Sequence, residues 1–259
     1  SLPELIVSVN ANFHGSPEIA IGNVLGSNIA NILLVIGATA VVATLHAPRR
    51  EFVRDLTTMV LATLLLTGLM LYGEISRWAG VSMIMMLITY TFWQYVMARK
   101  GKIQIEEIEN PEFKSMMAAV FFLALGMIFI AGGAEFLVRG ASICAKVVGV
   151  PEAVIALSII ALGTSLPELS TCLIAAKRGH TDLILGNIIG SNVFNILMIL
   201  GITTIVKPIF MGDMTPQLVN LDIWVTLAIS ILFTALLLFF QKVGKTSGII
   251  FLSVYGAYI

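Results

Sequence analysis

Cysteine and histidine are scarce in this chain of 259 residues. Its two cysteines, Cys144 and Cys172, lie in or beside apolar segments and give no disulfide framework. Its three histidines fall at the predicted ends of membrane segments: His14, His46 and His180. No HExxH motif or other histidine-based zinc site can therefore form within the bilayer, which argues against an intramembrane metalloprotease.

Charged residues are also few, at 12% of the chain, and they cancel to a formal net charge of zero. The scattered basic residues leave no electrostatic footprint for nucleic acid. Hydrophobic residues, in contrast, make up 58% of the chain, and the mean hydropathy is +0.98. This composition predicts a polytopic membrane protein.

Two stretches of the chain, residues 1–37 and 165–201, align without a gap and share sixteen identical positions. The identical pairs include Glu4 with Glu168, Ser27 with Ser191, and Asn31 with Asn195. A charged or unsatisfied polar side chain costs about 2.5 kcal/mol or more at bilayer depth, so such residues usually line an ion or substrate path. A duplication with a polar centre indicates a secondary transporter.

Hydropathy predicts an all-α fold with a partial helix at 1–12 and further spans. These lie near 19–45, 56–73, 79–98, 115–139, 150–176, 183–206 and 221–240, with a last, shortened one from 246. By repeat logic we expect one helix and the first part of another to precede Ser1, giving ten helices in two five-helix repeats. Since five is odd, the second repeat is inverted. We expect a first half at 1–99, a charged linker at 100–114 and a second half at 115–259.

The positions of the basic residues predict the orientation. An alternating ten-helix arrangement puts eleven of the fifteen Lys and Arg residues on the side of the central linker. Because basic loops face the cytoplasm, we expect a cell (inner) membrane protein with a cytoplasmic linker.

Pro167 is the residue from which we predict a cation site. It lies in mid-span and cannot donate to the carbonyl of Gly163, so the helix should open there and release backbone oxygens. Thr164, Ser165 and Glu168 lie three or four residues apart on one face of that turn. Carboxylate, hydroxyl and carbonyl oxygens suit Ca2+ and other small hard cations.

The following helix carries a second polar stripe of Asn187, Ser191 and Asn195, spaced by four. Gly186 and Gly190 have the small-xxx-small spacing that permits close helix approach. The first repeat duplicates the stripe with Asn23, Ser27 and Asn31. Taken singly, the asparagines Asn23, Asn28, Asn187 and Asn192 are interpreted as interhelical hydrogen-bond partners. Glu18 and Asp182 are interpreted as helix caps.

Two glutamates meeting at a pseudo-twofold axis would neutralise one Ca2+, and several monovalent ions could occupy the same oxygens instead. One site with two mutually exclusive occupants is the physical basis of antiport. The residues alone leave two alternatives open: a proton-driven Ca2+ exchanger, since facing carboxylates can take a proton, and a passive cation channel.

The motifs GTSLPEL and GN-x-x-GSN-x-x-N, the second in two copies, resemble those of the Ca2+/cation antiporter superfamily, in its bacterial and archaeal sodium/calcium exchanger branch. The resemblance implies ten helices in two inverted repeats, four midplane ion sites, a monomeric transporter rather than an enzyme, and no organic cofactor. It also implies Na+/Ca2+ antiport by alternating access, with Ca2+ extrusion driven by the Na+ gradient.

Carried over by position, the resemblance implies a set of metal-ligating residues. Glu4 and Glu168 would be the carboxylates shared by Ca2+ and Na+, and Thr164 would complete the calcium site. The outward sodium site would comprise Glu4, Ser27, Thr164, Ser165 and the carbonyl of Ala161. The inward one would comprise Ser1, Ser191 and Glu168, and the middle position Asn31 and Asn195.

Two departures from relatives bear on these sites. An archaeal member of the family has aspartate where this chain has Asn195. Proton-coupled members carry an acid after the GN dipeptide, where this chain has Gly26 and Gly190. The second departure favours sodium as the driving ion.

Overall fold

The chain folds into helices joined by short turns, and the computed structural model describes residues 1–47, 49–99, 116–149 and 152–259. The first half begins with α1 and ends with α5. Its elements are α1 (Leu2–Phe13), α2 (Pro17–Ala30), π1 (Asn31–Ile36), α3 (Gly37–Val42), β1 (Leu45–His46), α4 (Arg49–Tyr72), β2 (Glu74–Ile75) and α5 (Arg77–Arg99).

The second half repeats this order from Leu166 onward, after a long helix and three short helical segments. Its elements are α6 (Met116–Val147), α7 (Glu152–Ile155), π2 (Ala156–Ile160), α8 (Ala161–Thr164), α9 (Leu166–Lys177), α10 (Thr181–Phe194), π3 (Asn195–Leu200), α11 (Gly201–Val206), β3 (Ile209–Phe210), a 3-10 turn (Met211–Asp213), π4 (Leu218–Asp222), α12 (Ile223–Phe240), β4 (Lys242–Val243) and α13 (Lys245–Tyr258).

Within the described residues, five helical stretches are long and apolar enough to cross a membrane: Pro17–Val42, Phe52–Tyr72, Arg77–Arg99, Leu183–Val206 and Leu218–Phe240. A sixth is formed if the bent pair Ser158–Thr164 and Leu166–Lys177 is one broken span. The predicted all-α, polytopic class is confirmed, and the predicted spans recur within a few residues. The helix predicted at 115–139 is longer in the structure, because α6 continues to Val147. The predicted linker at 100–114 lies outside the described residues.

Four two-residue strands, absent from the sequence prediction, join the two halves. β1 pairs antiparallel with β4, with Leu45 opposite Val243, and β2 pairs antiparallel with β3, with Ile75 opposite Ile209. The repeat alignment carries Leu45 onto Ile209, so one pair maps onto the other when the halves are exchanged. The two pairs lie at opposite ends of α4, whose 24 residues span about 36 Å. The halves therefore interlock about a pseudo-twofold axis in the membrane, as inverted repeats require.

The helix packing shows the same symmetry between the halves, at two crossings that contain glycine. α3 contacts α13, and α11 contacts α5. A Cβ atom on Gly248 would lie 2.7 Å from the carbonyl oxygen of Gly37. In the symmetry-related crossing, a Cβ on Gly80 would lie 2.7 Å from the carbonyl oxygen of Gly201. Both crossings need glycine because the backbones approach too closely for a methyl group.

A hydrogen-bonded aspartate–tyrosine pair also occurs once in each half. Tyr90 Oη donates to Asp55 Oδ1 at 3.0 Å, and Tyr258 Oη donates to Asp222 Oδ1 at 2.8 Å. Asp55 is further paired with Arg54 at 2.9 Å. These pairs link α4 to α5 and π4 to α13, so each of the two aspartates has a tyrosine hydroxyl as a hydrogen-bond donor.

Candidate cation site at the repeat interface

Glu4 and Glu168 lie near the start of equivalent helices, α1 and α9, and their carboxylates are close to the same backbone nitrogen. Each lies in the first turn of its helix, one residue after a proline at the helix start. Both are buried, with 1% and 8% of their surface exposed. The backbone nitrogen of Ser1 lies 3.1 Å from Glu168 Oε1 and 3.6 Å from Glu4 Oε2. The two carboxylates therefore converge across the repeat interface.

The span that carries Glu168 is broken beside it. α8 ends at Thr164, α9 begins at Leu166, and the two segments meet at an angle of 47°. Thr164 Oγ1 lies 3.2 Å from Asn23 Oδ1, 3.3 Å from Ser27 Oγ and 3.2 Å from the carbonyl oxygen of Ala161. The break thus brings a hydroxyl of the second repeat against α2 of the first.

Asn23 holds α1 in place at this junction. Its Nδ2 donates to the backbone oxygen of Glu4 at 3.2 Å and to Ser8 Oγ at 3.0 Å. Because its Oδ1 accepts from Thr164, Asn23 uses both ends of its amide within the protein. The interpretation of Asn23 as an interhelical hydrogen-bond partner agrees with these contacts.

Five buried side-chain oxygens at the predicted ligand positions have no hydrogen-bond partner in the described part of the chain. They are Glu4 Oε2, Glu168 Oε2, Ser165 Oγ, Asn31 Oδ1 and Asn195 Oδ1. An unpaired polar atom in a dry interior is costly, and native proteins rarely leave one unsatisfied. Carboxylate, hydroxyl and amide oxygens are the ligands of Ca2+, and the chemistry of this donor set fits a hard cation.

The described residues contain no group of three or more His, Cys, Asp or Glu side chains that could hold a metal ion. A cation at this interface would instead rely on two carboxylates supplemented by neutral oxygens. Such a set binds without the excess negative charge that would make release slow.

Comparison with known proteins decides the family. The model of the family described as sodium/calcium exchanger protein matches residues 1–96 and 118–259. The chain belongs to this family. Inner membrane protein YrbG of Escherichia coli (strain K12) is 32% identical over 243 residues, which cover 91% of this chain and 74% of YrbG. The sodium/calcium exchanger MaX1 of Methanosarcina acetivorans is 27% identical over 301 aligned positions, covering 100% of this chain and 84% of MaX1.

A solved structure of the sodium-calcium exchanger NCX_Mj, soaked with Na+ and Sr2+, superposes with a TM-score of 0.76. The two sequences are 31% identical, and the match covers 99% of this chain and 81% of NCX_Mj. The resemblance inferred from the motifs is thereby confirmed, as are the transporter class and the inverted-repeat fold. This sodium/calcium exchanger family member is a multi-pass membrane protein and not an enzyme.

The predicted ligand Ser191 is less enclosed: it is half-buried, whereas its counterpart Ser27 is buried. Asn187, interpreted as an interhelical hydrogen-bond partner, is exposed, whereas its counterpart Asn23 is buried. α2 contacts π2 and α8. The carbonyl oxygen of Ala161 accepts from the backbone nitrogen of Ser165 at 3.1 Å.

Two of the expectations from the sequence need correction. No described atom lies within 4 Å of a Cβ built on Gly186 or Gly190, so these glycines do not mark a close helix crossing here. Glu18 has a role beyond its own helix. Its Oε1 accepts from the backbone nitrogen of Thr215 and, at 2.8 Å, from Thr215 Oγ1. This contact ties α2 to the segment that precedes α12. The side chain of Asp182 lies outside the described residues.

The sequence reasoning missed two buried polar residues of α1, Ser8 and Asn12. Asn12 Nδ2 donates to the backbone oxygens of Thr203 at 3.1 Å and Lys207 at 2.7 Å, and so satisfies carbonyls at the end of α11. The spacing of four from Glu4 through Ser8 to Asn12 is the signal that could have found them.

Proposed function

We propose that this protein exchanges Na+ for Ca2+ across the cell membrane by alternating access, and that it extrudes Ca2+ down the Na+ gradient. The observation that carries the proposal is the convergence of Glu4 and Glu168, one from each repeat, on a single buried point. Relatives described as sodium/calcium exchangers support the same pair of ions.

The proposed ligands follow the repeat. The two carboxylates bind both ions, and Thr164 contributes to calcium binding. Ser27, Ser165, the carbonyl of Ala161, Ser1 and Ser191 provide further oxygens for sodium on either side, with Asn31 and Asn195 between them. Two negative charges balance one Ca2+, and Na+ ions competing for the same oxygens displace it.

Antiport follows from that competition. If Ca2+ and Na+ need the same carboxylate oxygens, loading one ion requires release of the other. Because the two halves are related by an axis in the membrane, rearrangement of one half against the other can expose the same site to either side.

The test is flux in liposomes that contain the purified protein. An outward Na+ gradient should drive 45Ca2+ uptake, and Glu168→Gln should reduce it to background, because half of the site's negative charge is lost. Glu74→Gln is the matched control, since Glu74 lies in β2 and is not one of the proposed ligands. It should leave uptake unchanged.

Three other outcomes contradict the proposal in different ways. Undiminished Na+-driven uptake in Glu168→Gln would remove Glu168 from the site. Uptake that follows an imposed pH gradient without Na+ would identify a proton-driven exchanger. Flux of 45Ca2+ down its own gradient, with no counter-ion, would identify a passive channel.

A further inference from the structure

Four asparagines form a reciprocal set across the pseudo-twofold axis. Asn195 Nδ2 donates to Asn28 Oδ1 at 3.0 Å, and Asn31 Nδ2 donates to Asn192 Oδ1 at 2.9 Å. All four are buried, with 0–2% of their surface exposed. Each bond joins one repeat to the other, and the repeat alignment maps one bond onto the other.

The bonds fix the orientation of Asn31 and Asn195. An asparagine amide has one oxygen and one nitrogen, and a half-turn of the side chain exchanges them. Because the nitrogens of Asn31 and Asn195 are held by an acceptor on the opposite repeat, their oxygens must face away from it. Those two oxygens are among the buried atoms without a hydrogen-bond partner in the described residues.

The two accepting asparagines are oriented in turn. Asn28 Nδ2 lies 3.5 Å from the backbone oxygen of Asn192, and Asn192 Nδ2 lies 3.7 Å from Met59 Sδ. A backbone carbonyl and a thioether can only accept, so each amide nitrogen points to them and each Oδ1 points to its partner. The acceptors therefore do not depend on a bound ion for their orientation.

We propose that Asn28 and Asn192 are positioning residues, each of which aims the amide oxygen of an ion-binding asparagine of the opposite repeat into the transport site. The inference rests on the proposed function, since it assigns Asn31 and Asn195 to cation binding. It adds two residues that bind no ion themselves and a specific pairing: Asn28 acts through Asn195, and Asn192 acts through Asn31.

The same geometry suits an asparagine at position 195. An ionised aspartate has no hydrogen to donate, so with Asn28 in its present orientation it would place two acceptors, its carboxylate and Asn28 Oδ1, against each other. Asn195 and Asn28 thus form a matched neutral pair. Asn195→Asp is expected to weaken the contact with Asn28 rather than simply add charge to the site.

Double-mutant cycles with crossed backgrounds test the pairing. The measurement is equilibrium 22Na+ binding, with 45Ca2+ competition, to purified protein in detergent. Asn28→Leu removes the acceptor at similar size and should lower Na+ affinity roughly three- to tenfold, the effect of one hydrogen bond. In the Asn195→Ala background it should add less than about twofold, because the partner is gone.

The Asn31→Ala background is the matched control, since Asn31 does not pair with Asn28. In this background Asn28→Leu should lower Na+ affinity by its full factor. Asn192→Leu should do the reverse: its full effect should appear in the Asn195→Ala background, and less than about twofold in the Asn31→Ala background. Equal factors in both backgrounds would overturn the proposal. So would a lowered temperature of thermal unfolding with unchanged affinity, which would show a purely structural role.

Failure of this inference and failure of the proposed function are distinguishable. If the pairing is wrong, the unmodified protein still shows Na+-driven Ca2+ uptake that needs Glu168. If the function is wrong, that uptake is absent before any asparagine is changed. Should Asn28→Leu not assemble, the cycle of Asn192 with Asn31 tests the same pairing independently, with the same criteria for support and contradiction.

Discussion

Thr164 illustrates how neutral oxygens complete a site built on only two carboxylates. Its hydroxyl lies within 3.3 Å of oxygens from Asn23, Ser27 and Ala161, which belong to both repeats. A threonine hydroxyl can turn its lone pairs toward a cation without any change of charge. At this position, ion binding and contact between the repeats depend on one side chain.

Replacing Thr164 with valine keeps the shape and removes the hydroxyl. We expect Thr164→Val to lower Ca2+ affinity about tenfold, the usual magnitude for one interaction with a charged group. Thr171→Val is the control, since Thr171 is exposed on α9 and its hydroxyl donates to the carbonyl oxygen of Pro167 in the same helix. 45Ca2+ binding at equilibrium measures both; equal losses in the two variants would contradict a role in the site.

The sequence predicts the glutamates of the candidate site more clearly than the asparagines. Glu4 and Glu168 stand out because an acid in the middle of an apolar segment is too costly to be incidental. An asparagine gives no such signal, because the same amide can bind an ion or join two helices. Asn23 and Asn195 both occur in the duplicated motif, yet only the contacts show that one oxygen is satisfied and the other is not.

At the scale of elements, interruptions in the helices form the site. The break between α8 and α9 lies beside Glu168, and the π-helical segments π1 and π3 begin at Asn31 and Asn195. π-helical turns are rare and frequent at functional sites. Pro167 predicts the break from sequence, because it removes a hydrogen bond. No residue predicts the π segments, which depend on the packing of the surrounding helices.

The helix crossings are another feature that sequence spacing does not predict. Gly186 and Gly190 have the expected spacing and no close partner among the described residues, whereas Gly248, which follows Gly244 at the same spacing, has one. The difference arises because close approach depends on what the opposite helix presents. For Gly80, that is the backbone oxygen of Gly201, which cannot move without distorting α11.

Gly80→Ala should therefore destabilise the protein by about 1–3 kcal/mol, as overpacking typically does. Thermal unfolding in detergent measures the loss. Gly68→Ala, four residues before the end of α4 and with no neighbouring described element within 4 Å of the new methyl group, should be neutral or slightly stabilising because alanine favours helix. Equal behaviour of the two variants would show that the crossing at Gly80 is looser than described.

At the scale of the whole molecule, the exchange of strands between halves determines the topology. β1 with β4 and β2 with β3 occupy opposite ends of α4, and each pair takes one strand from each half. The inverted repeat is predictable from the odd number of helices between the copies of the motif. The strands are not, because two-residue pairings leave no periodic pattern in the sequence.

Cysteine labelling from either side of the membrane tests this topology. In a background without native cysteines, His46→Cys and Lys242→Cys should react with an impermeant maleimide from the cytoplasmic side. Phe210→Cys should react only from the other side. His46, Lys242 and Phe210 are all exposed in the structure. Reaction of all three from one side would contradict the inverted arrangement, whereas exchange of the two sides would reverse only the proposed orientation.

The pairing of β1 with β4 also has a consequence for biosynthesis. Leu45 leaves the ribosome long before Val243, its partner in the ladder. Until then β1 has an open edge, and Gly37 lacks the helix that packs on it. The nascent first half must therefore remain incomplete in the translocon or bilayer until α13 is made. A message truncated before the codon for Lys242 would yield a chain in which the edge of β1 stays unpaired. Membrane quality-control proteases would be expected to degrade such a chain.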